Sequence, residues 1–365
     1  MSSQRAIRCC VIRGGTSKGL YFHAGDLPED TATRDAVLLA AMGSPDVREI
    51  DGMGGGHPLT SKVAIVQTSE REDADVDYLF LQVWPDRAEV SDNQNCGNLL
   101  AGVGPFALEE GLVSPAGDAT DVRIWMQNTQ SLAVARVATP DGEVRYDGDA
   151  RIDGVPSTSS PIPIEFLDVA GSTCGSLLPT GHPSDVIDGV RVTCIDNGMP
   201  VVCLLAADVG LSGDEAPSEI EANTEVCARV EHLRRQAGPL MNLGDVEKAT
   251  VPKMSLLAAP RRGGTVATRT FIPQRVHEAI GVFGAVSVAT ACLVPGSGAH
   301  QITGSEISRG LTTIEVEHPT GYFSVEMGVA LDGENVRVTS SALLRTARLL
   351  MRGDVFVPAA LWNHA

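Results

Sequence analysis

The sequence predicts an α+β protein of two similar domains, each with a sheet of short strands around one central apolar helix. Three observations lead to this prediction. The 365 residues are enough for about two domains of ordinary size. The 38 glycines and 21 prolines favour many tight turns and therefore many short strands. The same order of elements occurs twice. It consists of a strand–turn–strand unit, a helix, a strand near a lysine, and a polar loop that leads into an apolar helix.

The first half of the chain shows this order clearly. Residues 31–42 have a helical pattern, with Asp30 or Thr31 as the N-cap and Gly43 at the end. A second helix is predicted over 99–111, where an apolar run ends on a glycine. The strand candidates of this half are residues 6–12, 20–22, 62–67, 76–84, 121–126, 131–137 and 143–147.

The second half repeats the order after a stretch rich in proline and serine (156–164). Residues 190–206 read as strand, polar turn and strand, and 218–237 as a long helix. The lysine-containing run 251–259 and the apolar helix candidate 277–293 follow. We place the domain boundary near 180–188, which gives domains of 1–184 and 185–365.

The composition excludes several classes of protein. The formal net charge of −18 argues against nucleic acid and anionic membranes as partners. None of the eight cysteines occurs in a CxxC pair, so the ligand spacing of a zinc site is absent. The N-terminus has no apolar signal region and no apolar run reaches 18 residues, which predicts a cytoplasmic protein without a membrane span.

Cys96 lies in the polar loop DNQNCGN (92–98), directly before the apolar helix candidate. The backbone N–H groups at a helix N-terminus are unpaired, and their field lowers the pKa of a thiol and attracts carboxylates. A thiol that titrates near neutral pH suits proton transfer. An ordinary turn cysteine is the alternative interpretation.

Lys62 begins the apolar run SKVAIV after the glycine-rich loop DGMGGGHPLT (51–60). A lysine that is anchored on a strand and partly desolvated can act as a base. An exposed lysine at a strand end is the more common alternative. The chain has only four lysines, and two of them, Lys62 and Lys253, occupy matched places in the two halves.

The turn RGGTSKG (13–19) lacks the spacing of a phosphate-binding P-loop and precedes a strand. Its Thr16 and Ser17 hydroxyls and its backbone amides could hold a carboxylate, and a simple hairpin turn is the alternative. Among the eight histidines, His277 could orient a substrate carboxylate, although a structural histidine is the more common case.

Taken in order, RGGTSKG, GGGHPLTSKVAIV and DNQNCGN followed by an apolar helix resemble the PrpF family, which has the diaminopimelate-epimerase-like fold. The CGN segment and NGMP (197–200) are also similar to the two half-site signatures of the epimerases. The ordered set of motifs is specific and spans essentially the whole chain. The resemblance implies two domains, each a sheet rolled around a central helix, with the active site in the cleft between them.

The resemblance also implies catalysis without a metal or coenzyme, with Lys62 and Cys96 as the catalytic residues. The second half has no CGTG-like motif, since GVFGAVS (281–287) stands in its place. Cys292 lies about two turns into the apolar helix, so a racemase with two opposed thiols is not expected. The residues expected to bind the substrate are Thr16, Ser17, Ser61, Gly97, Asn98, Asn197, Met199, His277 and Gly284.

Members of the family isomerise unsaturated tri- and tetracarboxylates. Residues 175–202 and 272–296 are most similar to the branch that acts on 4-oxalomesaconate in the breakdown of gallate-type aromatics. The resemblance therefore implies proton-transfer tautomerisation or allylic isomerisation of this small molecule. Isomerisation of 2-methylaconitate and non-catalytic carboxylate binding are the alternatives. A homodimer is an open expectation, because the sequence does not decide the oligomeric state.

Overall fold

The structure of the protein is a computed structural model that describes residues 3–92, 96–167, 169–272, 274–304, 310–332 and 335–364. The chain forms two compact units. The first contains Met1–Phe166 and Leu344–Ala365, and the second contains Leu167–Leu343. The second unit thus begins at Leu167, whereas the sequence places the boundary at 184/185, and the end of the chain belongs to the first unit.

Within its described residues, the first unit contains a mixed sheet and three α-helices. Its strands are β1 (Gln4–Gly14), β2 (Ser17–His23), β3 (Lys62–Thr68), β4 (Val76–Val83), β5 (Val90–Ser91), β6 (Ala119–Met126), β7 (Ser131–Ala138) and β8 (Pro161–Leu167). Its helices are α1 (Thr31–Met42), α2 (Gly97–Leu100) and α3 (Val103–Glu109). The pairs β1–β2, β3–β4 and β6–β7 are antiparallel, whereas β2–β3 and β4–β6 are parallel.

The second unit repeats this alternation of strand pairs. Its strands are β9 (Asp185–Ile187), β10 (Val190–Asp196), β11 (Pro200–Leu205), β12 (Lys253–Ala258), β13 (Val266–Phe271), β14 (Gly310–His318) and β15 (Gly321–Asp332). Its helices are α4 (Pro217–Ala222), α5 (Thr224–Leu240), α6 (Val282–Cys292) and α7 (Gly298–Thr303). β10–β11, β12–β13 and β14–β15 are antiparallel, and β11–β12 and β13–β14 are parallel. The predicted internal repeat is therefore confirmed.

The last strand, β16 (Asn335–Pro358), belongs to both units. Its first part pairs antiparallel with β15, from Asn335 to Leu343. Its last part, from Ala347 to Pro358, pairs antiparallel with β1. A strand of 24 residues thus starts in the second unit and completes the sheet of the first.

Each sheet packs against a buried helical segment, as predicted. α6 is buried at every position from Gly284 to Cys292 and contacts β10, β11, β14 and β15. In the first unit, α2 and α3 contact β1, β2, β3, β6 and β7. A helix that is apolar on all sides is stable only inside such a core. The α+β prediction is correct in both units.

The predicted helix over 99–111 is instead two short helices, and the contacts explain the break. The carbonyl oxygen of Leu99 accepts a hydrogen bond of 2.5 Å from the Tyr21 hydroxyl and another of 2.9 Å from the Gly102 N–H. Pro105 has no N–H to continue an α-helical ladder back to Ala101. The chain therefore ends α2 after one turn and restarts as α3.

Two further local predictions are wrong. Residues 143–147 form no strand. Their backbone makes isolated hydrogen bonds, such as that from the Arg145 N–H to the Ala138 carbonyl oxygen, in place of a strand ladder. The helix predicted over 218–237 is divided at Asn223, whose side-chain oxygen caps α5 by accepting from the Val226 N–H at 3.2 Å. By contrast, α1 begins and ends as predicted, with Asp30 as N-cap and Gly43 in the left-handed conformation.

Candidate active site

Lys62 is the first residue of β3, and its side chain is only 6% exposed. β3 runs parallel to β2, with Gly19 beside Lys62, and antiparallel to β4, with Gln82 directly opposite Lys62. Lys62 Nζ donates a hydrogen bond of 2.6 Å to Gln82 Oε1 and lies 4.9 Å from the centroid of the Phe80 ring. The structure thus places a buried amine at the start of the strand, and the alternative of an exposed strand-end lysine is wrong.

Ser61, which precedes Lys62, ties the strand to the glycine-rich loop. Its buried hydroxyl donates to Glu49 Oε1, and Glu49 Oε2 accepts from the Gly56 N–H at 2.8 Å. A β-carbon on Gly54 would come within 2.2 Å of the Glu49 carboxylate, so a larger residue there would displace that carboxylate. The loop therefore closes around a buried carboxylate. The predicted substrate contact of Ser61 stays a prediction, and its present contact anchors the loop.

Cys96 occupies the N-cap position of α2, with extended backbone angles of φ −129° and ψ 96°. Its carbonyl oxygen accepts from the Leu100 N–H at 3.0 Å, and the residue is partly exposed. The preceding residues 93–95 of the predicted loop lie outside the described residues. The thiol therefore lies at the start of a helix, as predicted, although this helix has only four residues.

Three buried polar side chains interact electrostatically with Cys96. Burial raises the pKa values of Tyr21 and Tyr78 well above their ordinary range, and the thiolate charge of Cys96 raises them further. Burial lowers the pKa of Arg345 to about 9, and the charge of Cys96 opposes this shift. A thiolate at Cys96 therefore has a buried cation in its electrostatic field.

Burial disfavours the thiolate form of seven cysteines. Burial raises the pKa of Cys10 to about 11 and that of Cys9 to about 12. Burial likewise raises the pKa of Cys292 to about 12, and this side chain is fully buried within α6. The remaining thiols with a raised pKa are Cys174, Cys194, Cys203 and Cys227. Cys292 therefore lacks the exposure that a second catalytic thiol needs.

The RGGTSKG turn packs directly on the first turn of α2. Thr16 Oγ1 accepts from Asn98 Nδ2 at 3.1 Å, and a β-carbon on Gly15 would come within 2.2 Å of Asn98 Oδ1. Ser17 is 1% exposed, and its Oγ has no hydrogen-bond partner among the residues that the structure describes. The predicted residues Thr16, Ser17, Gly97 and Asn98 thus lie together with Cys96.

β2 contacts both the strand that carries Lys62 and the helix that begins after Cys96. At Gly19, a β-carbon would come within 2.4 Å of the Lys62 carbonyl oxygen and 3.2 Å of Leu99 Cδ1. β3 and α2 therefore both pack against the same glycine of β2. The two predicted catalytic residues lie on adjacent elements of one unit.

In the second unit, the NGMP turn packs on α6 in the equivalent way. The Asn197 N–H donates to Ser287 Oγ at 3.1 Å, and Asn197 Nδ2 donates to Thr290 Oγ1 at 2.8 Å. Ser287 Oγ in turn donates to the Met199 carbonyl oxygen at 2.7 Å. The polar groups of Asn197 and Met199 are thus engaged with the helix, and their predicted contact with substrate stays a prediction.

His277 and Gly284 lie near the start of α6. His277 Nδ1 accepts from the Ala279 N–H at 2.8 Å, so the proton of the neutral ring lies on Nε2. Burial lowers the pKa of His277, and the charge of Lys253 lowers it further. Gly284 is the third residue of α6, within the turn whose N–H groups have no intrahelical acceptor. Substrate binding by either residue stays a prediction.

Sequence reasoning missed the polar partners of the two candidate catalytic residues. These are Gln82, Tyr21, Tyr78 and Arg345. Gln82 carried a usable signal, since it is a polar residue inside the apolar run VDYLFLQVW. Arg345 carried none, because its approach to Cys96 depends on the return of β16 to the first unit.

Two further observations concern membrane-spanning helices and metal sites. Within the described part of the chain, no helix combines the length and the apolar character that a bilayer-spanning segment requires. Among the same residues, no group of three His, Cys, Asp or Glu side chains is arranged to hold a metal ion.

Comparisons with known proteins agree with this architecture. A (4E)-oxalomesaconate Delta-isomerase of Novosphingobium sp. (strain KA1) is 59% identical over 351 residues, which cover 96% of this chain and 97% of the relative. A 4-oxalomesaconate tautomerase of Pseudomonas putida is 56% identical over 363 residues, which cover 99% and 98%. The crystal structure of a methylitaconate-delta-isomerase superposes with a TM-score of 0.88 at 34% identity, covering 100% of this chain and 98% of that one.

These matches define the class of the protein, which is an isomerase with the diaminopimelate-epimerase-like fold. The model of the PrpF protein family matches residues 4–358. The chain therefore belongs to the PrpF family, and the resemblance inferred from its motifs is confirmed.

Proposed function

We propose that this isomerase moves a proton on 4-oxalomesaconate, an unsaturated polycarboxylate, with Lys62 and Cys96 as its acid–base pair. The observation that carries the proposal is the placement of a buried amine and a partly exposed thiol on two elements that pack against the same glycine, Gly19. The similarity to two enzymes named for oxalomesaconate, at 59% and 56% identity, supports the choice of substrate.

The proposed reaction is a proton transfer without net oxidation or reduction. One member of the pair removes a proton from a carbon that a neighbouring carbonyl or carboxyl group makes acidic. The backbone N–H groups of Gly97 and Asn98, in the first turn of α2, stabilise the dienolate that forms. A proton then returns to carbon or oxygen, which shifts the double bond or completes the tautomerisation. We propose that no metal or coenzyme takes part.

Ser17 and Thr16 supply the proposed contacts with a substrate carboxylate. The buried Ser17 Oγ has no partner among the described residues, and a buried hydroxyl without a partner is costly unless a ligand completes it. The turn that carries it adjoins α2 through the Thr16–Asn98 bond. A carboxylate held there lies beside the helix that begins after Cys96.

The proposal is tested by Lys62→Met and Cys96→Ser, assayed on 4-oxalomesaconate by ultraviolet absorbance. We expect each variant to lose about 10²- to 10⁴-fold in kcat, the usual contribution of a general acid or base. Lys248→Met and Cys227→Ser make the same chemical changes elsewhere and should retain native turnover. Turnover near the native value in both site variants would contradict the proposed pair.

Hydrogen exchange separates an isomerase from a protein that only binds the acid. We expect deuterium from heavy water to enter the carbon skeleton of 4-oxalomesaconate when the protein is present, and not when both Lys62 and Cys96 are replaced. Binding without exchange would support a carboxylate-binding protein instead. A higher kcat/KM on 2-methylaconitate than on 4-oxalomesaconate would overturn the choice of substrate.

We also propose that the protein works in a reducing compartment, the cytoplasm. All eight cysteines are free thiols, including the adjacent pair Cys9 and Cys10. Proteins of reducing compartments keep their cysteines in this form. A Cys96 that acts in proton transfer must also remain reduced, so loss of activity on oxidation and recovery with a thiol reductant is expected.

A further inference from the structure

We propose that Gln82 is a positioning residue that holds the Lys62 amine in place in both of its protonation states. The inference rests on the proposed role of Lys62 and adds a residue that the reaction needs without touching the substrate. Gln82 lies directly opposite Lys62 in the antiparallel pair β3–β4, where facing side chains project from the same side of the sheet. Its Oε1 accepts the 2.6 Å bond from Lys62 Nζ.

The orientation of the Gln82 amide is fixed by its other hydrogen bonds. Nε2 donates to the carbonyl oxygens of Ser61 at 2.8 Å, Val83 at 3.1 Å and Pro58 at 3.1 Å. The reversed amide would place its oxygen against three carbonyl oxygens and its NH₂ group against the lysine amine. Gln82 is 2% exposed, so water does not compensate for such a reversal. The oxygen therefore has to face Lys62.

Among the residues that the structure describes, the recorded contacts of the Lys62 amine are with uncharged groups. Gln82 and Phe80 on β4 are neutral, and Gly19 on β2 has no side chain. The ion pairs found among the described residues do not include Lys62. An ammonium group and a neutral amine both carry N–H groups, so a neutral oxygen accepts from either form. A carboxylate in this place would favour the ammonium form and oppose proton release.

The titratable group closest in the hydrogen-bond network is Glu49, and its oxygens are already engaged. Oε1 accepts from the Ser61 hydroxyl and Oε2 from the Gly56 N–H. Glu49 thus fixes the loop, while Gln82 links the same loop to Lys62 through the Ser61 carbonyl oxygen. The flexible Lys62 side chain is thereby held in one position by a neutral partner. Acid–base catalysis requires that the catalytic group be held in a defined position.

The test measures the titration of Lys62 directly. With only four lysines in the chain, protein labelled with ¹⁵N-lysine gives few side-chain signals, and Lys62→Met identifies the signal of Lys62. We expect Gln82→Glu to move the titration midpoint of Lys62 upward by about one pH unit or more, as a carboxylate at this distance does. Gln67→Glu adds the same charge on β3, five residues from Lys62 in the sequence. It should leave the titration midpoint of Lys62 unchanged.

Kinetics provides the second measurement. We expect Gln82→Met, which keeps the volume and removes the acceptor, to lower kcat at least tenfold while KM changes less than threefold. The kcat/KM profile of Gln82→Glu should shift along the pH axis, which a purely structural role of Gln82 does not cause. Thermal unfolding reports whether Gln82→Met folds, and the titration in Gln82→Glu decides the question if it does not.

The outcomes separate the two proposals. An unchanged Lys62 midpoint in Gln82→Glu, or native kcat in Gln82→Met, overturns the role of Gln82 while leaving that of Lys62 intact. Native turnover in Lys62→Met overturns the proposed role of Lys62 itself, and with it the need for a positioning residue, whatever the titration shows.

Discussion

The two units share one arrangement of strands but differ at the lysine that begins the third strand of each repeat. Lys62 of β3 lies beside Gly19 of β2, and Lys253 of β12 lies beside Val201 of β11. Lys62 is buried against a neutral amide. Lys253 is half-buried, and burial and the charge of Arg234 both lower its pKa.

The helices that follow also differ. The first unit has Cys96 at the N-cap of the four-residue helix α2, whereas the second has Gly281 at the N-cap of the eleven-residue helix α6. Among the described residues, both copies therefore retain the strand order and the lysine, and only the first has a cysteine at the N-cap of the helix that follows. A repeated fold does not imply a repeated chemistry.

The largest expected effect separates the two lysines. We expect Lys253→Met to keep kcat within about tenfold of the native value, against a loss of 10²-fold or more for Lys62→Met. Steady-state kinetics on 4-oxalomesaconate measures both. Equal losses in the two variants would show that the repeats contribute alike and that the contrast drawn from burial is wrong.

An effect of intermediate size concerns the glycine beside Lys62. A β-carbon on Gly19 would come within 2.4 Å of the Lys62 carbonyl oxygen, a backbone atom that cannot move alone. We expect Gly19→Ala to lower the free energy of unfolding by about 1–3 kcal/mol, as overpacking does, and to lower kcat by displacing Lys62. Chemical denaturation and kinetics measure the two effects.

Gly281→Ala is the matched control for this substitution. A β-carbon there meets no atom within 4 Å, and the backbone φ of −68° suits any residue. Its free energy of unfolding should stay within about 1 kcal/mol of the native value. A loss as large as that of Gly19→Ala would mean that close packing at Lys62 is not the cause.

The smallest expected effect is the pH dependence of stability from His277. Burial, and then the charge of Lys253, lower its pKa in the folded protein, while the unfolded chain takes up the proton near the ordinary value of about 6.5. The unfolded state therefore binds more protons below that pH, and stability falls as the pH decreases from about 6.5 toward the folded pKa.

His277→Asn keeps an acceptor for the Ala279 N–H and removes this titration. We expect urea unfolding between pH 5 and pH 7.5 to show a flatter stability profile in the variant. Parallel profiles for the native protein and the variant would contradict the assignment.

The features that were predictable from the sequence are those set by neighbouring residues. Asp30 and Gly43 fix the ends of α1 by local capping, and the sequence indicated Gly43 and narrowed the N-cap to Asp30 or Thr31. The repeat was detectable because the same order of short patterns occurs twice. The family motifs added Lys62 and Cys96 as a pair, which neither residue indicated alone.

The features that were not predictable depend on contacts between distant residues. The Tyr21 hydroxyl, bonded to Leu99, helps to end α2 from 78 residues away in the chain. The pairing of Gln82 with Lys62 depends on the register of β3 and β4, which a one-residue shift would abolish. The return of residues 344–365 to the first unit depends on where β16 pairs, and local composition contains no signal for that.

The path of β16 has a consequence for the order of biosynthesis. A ribosome completes the segment of the second unit at Leu343, while the first unit still lacks the residues after Leu344 that pair with β1. The first unit therefore begins to be translated before the second unit, but its sequence is completed after that of the second unit. A nascent chain can therefore contain every residue of the second unit before it contains every residue of the first unit, which carries Lys62 and Cys96.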